Sequence, residues 1–227
     1  MYNCEICNAY LSLKYTLKSH KAICHSKQTI KNEPVVLPTN CSNLSCGEVK
    51  FKHPFTCAIS GSSKCGKTEF LRRLLNSNYI QPPPERVIVL YKRWQPLYDK
   101  IKDILPKPEF YRGIPENIDS DSFFDVSKRN LVIFDDLMTD TSTDKAVSEL
   151  FTEGSHHRNL SVINLTQNLF PRGKSSTTKR WNTQYLVLFK SPMGQDQIQT
   201  IGRFMFPGKV KDFMKVYSEA TSNHTVI

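Results

Sequence analysis

No stretch of the 227-residue chain approaches the roughly 20 consecutive apolar residues that a membrane-spanning helix needs, so no membrane partner is expected. The first ten residues also lack the apolar centre of a signal peptide: Cys4, Glu5 and Cys7 lie where it would be. The seven cysteines, Cys4, Cys7, Cys24, Cys41, Cys46, Cys57 and Cys65, are odd in number. Without secretory features they do not read as a disulfide framework. They favour a reducing compartment in which some cysteines serve as metal ligands. There is no internal repeat. Acidic residues are in deficit, 21 against 31 Lys and Arg, which gives a net charge of +10. With a pI near 9.2, that balance favours polyanion partners, above all nucleic acid, over a merely solvated basic surface only when other features agree.

What is present fits one α/β domain with a small appendage. Hydrophobic residues make up 39% of the chain, enough for a soluble core. Residues 1–27 are dense in Cys, His and Lys. Residues 28–50 are polar, contain Pro34 and Pro38, show no helical or strand period and read as a linker. From Phe51 onward, through residue 227, apolar strand-like runs alternate with helical patterns, the signature of a mostly parallel sheet. Strands are predicted over residues 55–60, 86–91, 130–135, 160–166 and 184–189. Helices are predicted over 67–75, 94–105, 145–153, 195–204 and 209–220. In the second of these, Leu97, Ile101 and Leu105 share a face. Residues 106–127 are broken by prolines and read as a long loop.

Gly61-Ser62-Ser63-Lys64-Cys65-Gly66-Lys67-Thr68 satisfies G-x-x-x-x-G-K-[ST] at every fixed position. An apolar strand precedes it and a helical pattern follows. The glycines let backbone N–H groups curl around phosphate oxygens, and the helix N-terminus adds its positive end. The expected ligand is ATP or a close relative with Mg²⁺. Lys67 is expected to reach the β- and γ-phosphates, and the Thr68 hydroxyl to ligate Mg²⁺.

A second chemical signal is Leu131-Val132-Ile133-Phe134-Asp135-Asp136, a buried strand ending in acids. In open α/β sheets, ligands bind beyond the carboxyl ends of the strands. Asp135 is therefore expected to hold Mg²⁺ and Asp136 to polarise an attacking water. Hydrolytic motors usually carry Glu at the second position, so the shorter Asp136 departs from that pattern. The strand over 160–166 ends at Gln167, a candidate γ-phosphate sensor; a polar cap on a buried strand is the alternative.

In their order and spacing, GSSKCGKT, LVIFDDLM, SVINLTQNLF, residues 184–189 and Asp196-Gln197-Ile198 resemble the FtsK–HerA superfamily. More narrowly, they are similar to the poxvirus-type DNA-packaging ATPases of Polinton/Maverick elements, adintoviruses and virophages. The resemblance spans roughly residues 51–220. It implies an ATP-driven homo-oligomeric ring that moves double-stranded DNA into a capsid, inside cells at the nucleus or virus assembly site, or with the virion. It also implies Lys67, Thr68, Asp135, Asp136 and Gln167 in the roles above, and an arginine supplied by a neighbouring subunit. Arg158 is the candidate, with Arg172, Arg180 and Arg203 open. Related ATPases continue with another apolar strand beyond residues 222–227, which leaves a truncated C-terminus open.

The N-terminal appendage has its own pattern. Cys4 and Cys7 form a C-x2-C pair, followed after twelve intervening residues by His20 and then by Cys24 and His25. This fits a ββα zinc finger with Cys4, Cys7, His20 and His25 as ligands, Cys24 being the alternative to His25. Tyr2, Leu11 and Leu17 would form its small core. Cys41 and Cys46 read as free thiols. The base-reading positions would be Leu13, Thr16 and Ser19, none of which offers a bidentate contact to guanine. Lys14, Lys18 and Lys21 could grip phosphates without specifying sequence. Docking to a capsid or terminal protein is equally compatible. The competing overall reading is a zinc-finger adaptor whose P-loop domain is a nucleotide switch or inactive. A small-molecule kinase is weaker, because no substrate lid is recognisable.

Overall fold

A computed structural model describes residues 2–3, 10–11, 36–38, 50–118, 120, 122–137, 149–151, 158–169 and 182–222. Its strands are β1 (Tyr2–Asn3), β2 (Tyr10–Leu11), β3 (Val36–Pro38), β4 (Phe51–Lys52), β5 (Thr56–Ser60), β6 (Ile80–Gln81), β7 (Arg86–Tyr91), β8 (Glu109–Arg112), β9 (Asn130–Asp135), β10 (Leu160–Thr166) and β11 (Tyr185–Leu188). The α-helices are α1 (Lys67–Leu75), α2 (Leu97–Ile104), α3 (Gln195–Met205) and α4 (Val210–Ser222).

Seven strands form the main sheet in the order β3-β11-β5-β10-β9-β7-β8. Its pairs are parallel except β3 with β11. The α/β class with a mostly parallel sheet is therefore as expected for a P-loop NTPase. The central strands β5, β9 and β10 are buried at every position, which is why they are mostly apolar and show no polar face; their few polar residues, such as Ser161 and Asn164, are buried as well.

Side chains alternate between the two faces of the sheet. Ile59, Leu131, Ile133, Ile163, Leu165 and Val89 meet Leu71 and Leu74 of α1 and Tyr98 and Ile101 of α2. On the opposite face, Ile88, Val132, Phe134 and Val162 pack on Ile118, Phe124, Leu150 and Phe151. Further along that face, Ala58, Leu186 and Leu188 are covered by Ile198 and Ile201 of α3 and by Phe213 and Tyr217 of α4. The result is three layers with the sheet in the middle. The register aligns the strand ends: Tyr91 is level with Asp135, Asp135 with Leu165, and Ser60 with both Thr166 and Leu188.

Two stretches differ from the sequence reading. Residues 106–127 are not loop throughout, because β8 adds a parallel edge strand to β7. Arg86 clamps it, donating from Nε to Glu109 Oε1 at 2.6 Å and from its terminal nitrogen to Oε2 at 2.9 Å. The stretch read as a linker contributes β3 to the opposite edge, where Pro38 is tolerated because an edge strand need not donate on both sides. The helix expected over 145–153 is described only at residues 149–151, which are helical. Cys4, Cys7, His20, Cys24 and His25 lie outside the described residues, as do Cys41 and Cys46. β1 and β2 form an antiparallel pair on either side of Cys4 and Cys7 in sequence.

His53 ties the amino ends of β5 and β10. Its Nε2 lies 2.8 Å from Asn159 Oδ1, and its Nδ1 lies 2.6 Å from Ser161 Oγ. Asn159 Oδ1 can only accept, so His53 Nε2 carries the proton and Nδ1 accepts from the Ser161 hydroxyl. That hydroxyl in turn accepts from the Phe55 N–H at 3.1 Å. Burial, the largest influence, pushes the imidazole pKa below its ordinary value. A second proton on Nδ1 would confront the hydroxyl donor. The folded state thus prefers neutral imidazole, and the resulting stability is complete above the unfolded pKa, about 6.5. It is lost as pH falls from there through the folded pKa. The thermal midpoint is expected to decline below about pH 6.5, and His53→Gln to flatten that decline. Equal slopes in a pH series of melting curves would rule out this role.

Candidate nucleotide and metal site

The P-loop leaves β5 where the sheet ends and turns straight into α1. The Gly61 N–H donates to the Thr166 carbonyl at 3.3 Å, which anchors the loop to β10. A Cβ on Gly61 would lie 2.5 Å from Phe189 Cβ and 2.6 Å from Cys65 Sγ, so only glycine fits without displacement. Gly66 has φ +101°, a left-handed conformation that a side chain disfavours. The first bond of the helix follows at once, from the Phe70 N–H to the Gly66 carbonyl at 2.9 Å. The free N–H groups at the start of this nine-residue helix make an anion cradle with the loop.

Lys67 is half-buried over the loop. Its Nζ donates to the carbonyls of Gly61 and Ser62, each at 2.8 Å, and lies 3.9 Å from Cys65 Sγ. Ser62 Oγ donates to the Lys190 carbonyl at 3.1 Å, bracing the loop against the end of β11. Ser63 and Lys64 are exposed at the loop tip.

Asp135 ends β9 on the face that carries Ile133, which turns it toward α1 and α2. It is 5% exposed. Its Oδ2 accepts hydrogen bonds from the Tyr98 hydroxyl and, at 3.1 Å, from Gln95 Nε2. The other end of that amide, Gln95 Oε1, accepts from Thr68 Oγ1 at 3.4 Å. Burial pushes the Asp135 carboxyl pKa up; the Tyr98 hydrogen bond opposes the shift, neighbouring Asp136 adds to it, and Lys67 reduces it. Burial, reinforced by Asp135, also raises the Tyr98 pKa and keeps the phenol a donor.

Asp136 follows in a left-handed turn, φ +56°, and is exposed. Its N–H donates to the Leu165 carbonyl at 3.3 Å, which holds the turn against β10. Because β10 lies between β5 and β9, Gln167 emerges between the P-loop and the acids. Gln167 Oε1 accepts from Ser63 Oγ at 3.1 Å, and its Nε2 lies 3.5 Å from Asp136 Oδ2. The structure thus gathers residues 61–68, Asp135, Asp136 and Gln167 at one edge of the sheet.

Thr68 and Asp135 offer a hydroxyl and a carboxylate, the hard oxygen donors Mg²⁺ takes. One amide group bridges them, and both hydrogen bonds to the Asp135 carboxylate fall on Oδ2 and not on Oδ1. That donor set fits a magnesium ion, which Thr68 and Asp135 would hold and which would supply positive charge to neutralise the phosphates. Among the described residues no cluster of three or more His, Cys, Asp or Glu suggests a further metal site.

Arg158 precedes β10 and so lies at the amino end of the sheet, opposite the P-loop. It does not join this chain's own site. Arg203 is on α3, bonded to Gln199 Oε1 at 2.8 Å. Arg172 and Arg180 lie outside the described residues. The motif reading missed Gln95 and Tyr98. Tyr98 carries the pattern of a core aromatic, and only the return of α2 over β9 reveals its hydroxyl's partner.

No protein-family model matches the chain. Packaging protein 1 of Canine adenovirus serotype 1 (strain CLL) is 37% identical over 51 residues, covering 22% of this chain and 10% of that protein. The chain thus matches about a tenth of that relative's length. Two solved structures are similar at a TM-score of 0.35. Thermomonospora curvata EccC (ATPases 2 and 3), in complex with a signal sequence peptide, is 15% identical, with 51% of this chain and 25% of that one covered. The Legionella pneumophila ATPase DotB is 11% identical, with 76% and 53% covered. Neither overlay is close enough to carry a residue's role across. No helix among the described residues is long and apolar enough to cross a membrane.

Proposed function

We propose that this chain is an ATP-hydrolysing double-stranded DNA translocase that packages viral or Polinton-like transposon DNA. The observation that carries the reading is the convergence of the P-loop, Asp135, Asp136 and Gln167 at one edge of the sheet. Residues 61–68 hold the phosphates, and Lys67 supplies charge at the β- and γ-positions. Thr68 and Asp135 hold magnesium. Asp136 and Gln167, 3.5 Å apart across the gap beside Ser63, orient the attacking water. Two features support DNA as the track: the net charge of +10 and the short match to an adenovirus packaging protein.

The nucleotide is proposed to sit at the carboxyl ends of the strands, with a neighbour in a ring completing the site. Arg158 is the proposed residue from that neighbour, which agrees with its distance from the site in its own chain. Cys4, Cys7 and His20, with His25 or Cys24, are proposed to bind zinc, and the β1–β2 pair flanking the two cysteines supports a finger. The finger's partner is proposed to be DNA phosphates or a capsid or terminal protein.

ATP turnover measured with and without double-stranded DNA tests the reading. Turnover is expected to rise severalfold with DNA and the stimulation to fall steeply with salt, since phosphate contacts release counterions. Turnover indifferent to DNA would remove the translocase. Nucleotide binding with no turnover would favour the adaptor.

A further inference from the structure

Gln95 and Tyr98 come from neither of the strand ends that carry the acids nor from the P-loop, yet both reach Asp135. They lie 40 and 37 residues from it in sequence. We propose that Gln95 and Tyr98 are positioning residues of the metal site, fixing Asp135 through Oδ2 so that Oδ1 and the Thr68 hydroxyl serve one divalent cation. The proposal rests on the nucleotide reading above.

The local build makes both donors stiff. Pro96 caps α2, and the Tyr98 N–H donates to the Gln95 carbonyl at 2.9 Å, closing the turn that presents the two side chains together. The Tyr98 ring is fully buried, with ring centroids of Tyr91, Trp94 and Phe110 at 5.5, 5.4 and 5.8 Å. A ring so enclosed cannot swing its hydroxyl elsewhere without breaking those contacts. Gln95 adds what Tyr98 cannot. Its amide donates to Asp135 and accepts from Thr68, so it sets the spacing of the two groups as well as the orientation of one.

Both donors use the same carboxylate oxygen, which is the arrangement of an outer shell that orients a ligand without occupying it. A tyrosine placed only for packing would need some acceptor, and any nearby carbonyl would serve. Here the acceptor is the one buried acid at the strand ends, and a second donor from the same turn is aimed at the same atom.

The test is a Mg²⁺ titration of the 227-residue chain binding a fluorescent, non-hydrolysable ATP analogue. Tyr98→Phe and Gln95→Ala are each expected to raise the Mg²⁺ concentration for half-maximal binding about tenfold or more. Affinity for the analogue without metal, which depends on the loop and Lys67, is expected to stay unchanged. A wild-type Mg²⁺ requirement in the variants overturns the proposal, as does an equal loss with and without metal. If Tyr98→Phe fails to fold, the half-buried Gln95→Ala decides alone. A wild-type chain that binds no analogue would overturn the nucleotide reading itself. Metal-dependent binding in wild type with unaltered variants would overturn this inference only.

Discussion

Lys67→Ala is expected to lower ATP turnover by about a hundredfold to a thousandfold, the usual cost of removing one donor aimed at developing transition-state charge. The side chain is held over the loop by the carbonyls of Gly61 and Ser62, so its charge is delivered to the concavity formed by residues 61–68. Lys64, the nearest other cationic side chain of the loop, is exposed at its tip and does not replace it. Lys67→Arg is expected to rescue poorly, because a planar fork cannot take the position of a compact ammonium. The substitution should leave the fold intact. Lys67 is half-buried and contributes nothing to the apolar clusters, so the thermal midpoint should move little. Steady-state turnover and melting curves on the same preparations check both halves. Turnover within a few fold of wild type would sink the assignment of the loop to catalysis.

That site is partly legible in the sequence. Lys67, Thr68 and the glycines are adjacent in the chain, so spacing alone singles them out. Asp135 was legible because four apolar residues ending in an acid describe a buried strand with a polar exit. Gln167 followed from the same logic on the neighbouring strand. Gln95 and Tyr98 were not legible, since their relation to Asp135 is created by the placement of β7 beside β9 and the fold of α2 back across the sheet. A helical aromatic at a core position gives no sign that its hydroxyl has a buried acid to meet. The fold divides in the same way. β7 and β9 carry continuous apolar runs, Val87–Leu90 and Leu131–Phe134, whose burial on both faces writes itself into the sequence, and β10 is apolar apart from the buried Ser161, Asn164 and Thr166. β8 hides because an edge strand is polar at its ends, Glu109 and Arg112, and sits among prolines. β3 hides because three residues hold no period.

The second large effect concerns stability in place of chemistry, and separates the two. Phe134 immediately precedes Asp135 and points to the opposite face, where it is fully buried with Ile88, Val132 and Val162 beneath Ile118, Phe124, Leu150 and Phe151. Its flanking partners in the sheet are Leu90 on β7 and Asn164 on β10. Phe134→Ala removes a ring from between strands that are themselves fixed by parallel pairing on both sides, so the sheet cannot collapse into the space. The expected loss is about 3–5 kcal/mol, a large part of the roughly 5–15 kcal/mol that holds a domain folded. For a chain of this size that lowers the thermal midpoint by about 6–20 °C. Val126→Ala, at a side chain 58% exposed, should change stability by no more than about 0.5 kcal/mol and serves as the control. Asp135 shares the strand with Phe134 but faces α1 and α2, where its hydrogen bonds do not depend on the phenyl ring. Well below the lowered midpoint, Phe134→Ala should therefore retain turnover per folded molecule within a few fold, while Lys67→Ala should melt like wild type and lose most of its turnover. If Phe134→Ala instead lost turnover at temperatures where it is fully folded, the two faces of β9 would be coupled, and the acid's position would depend on the core behind it.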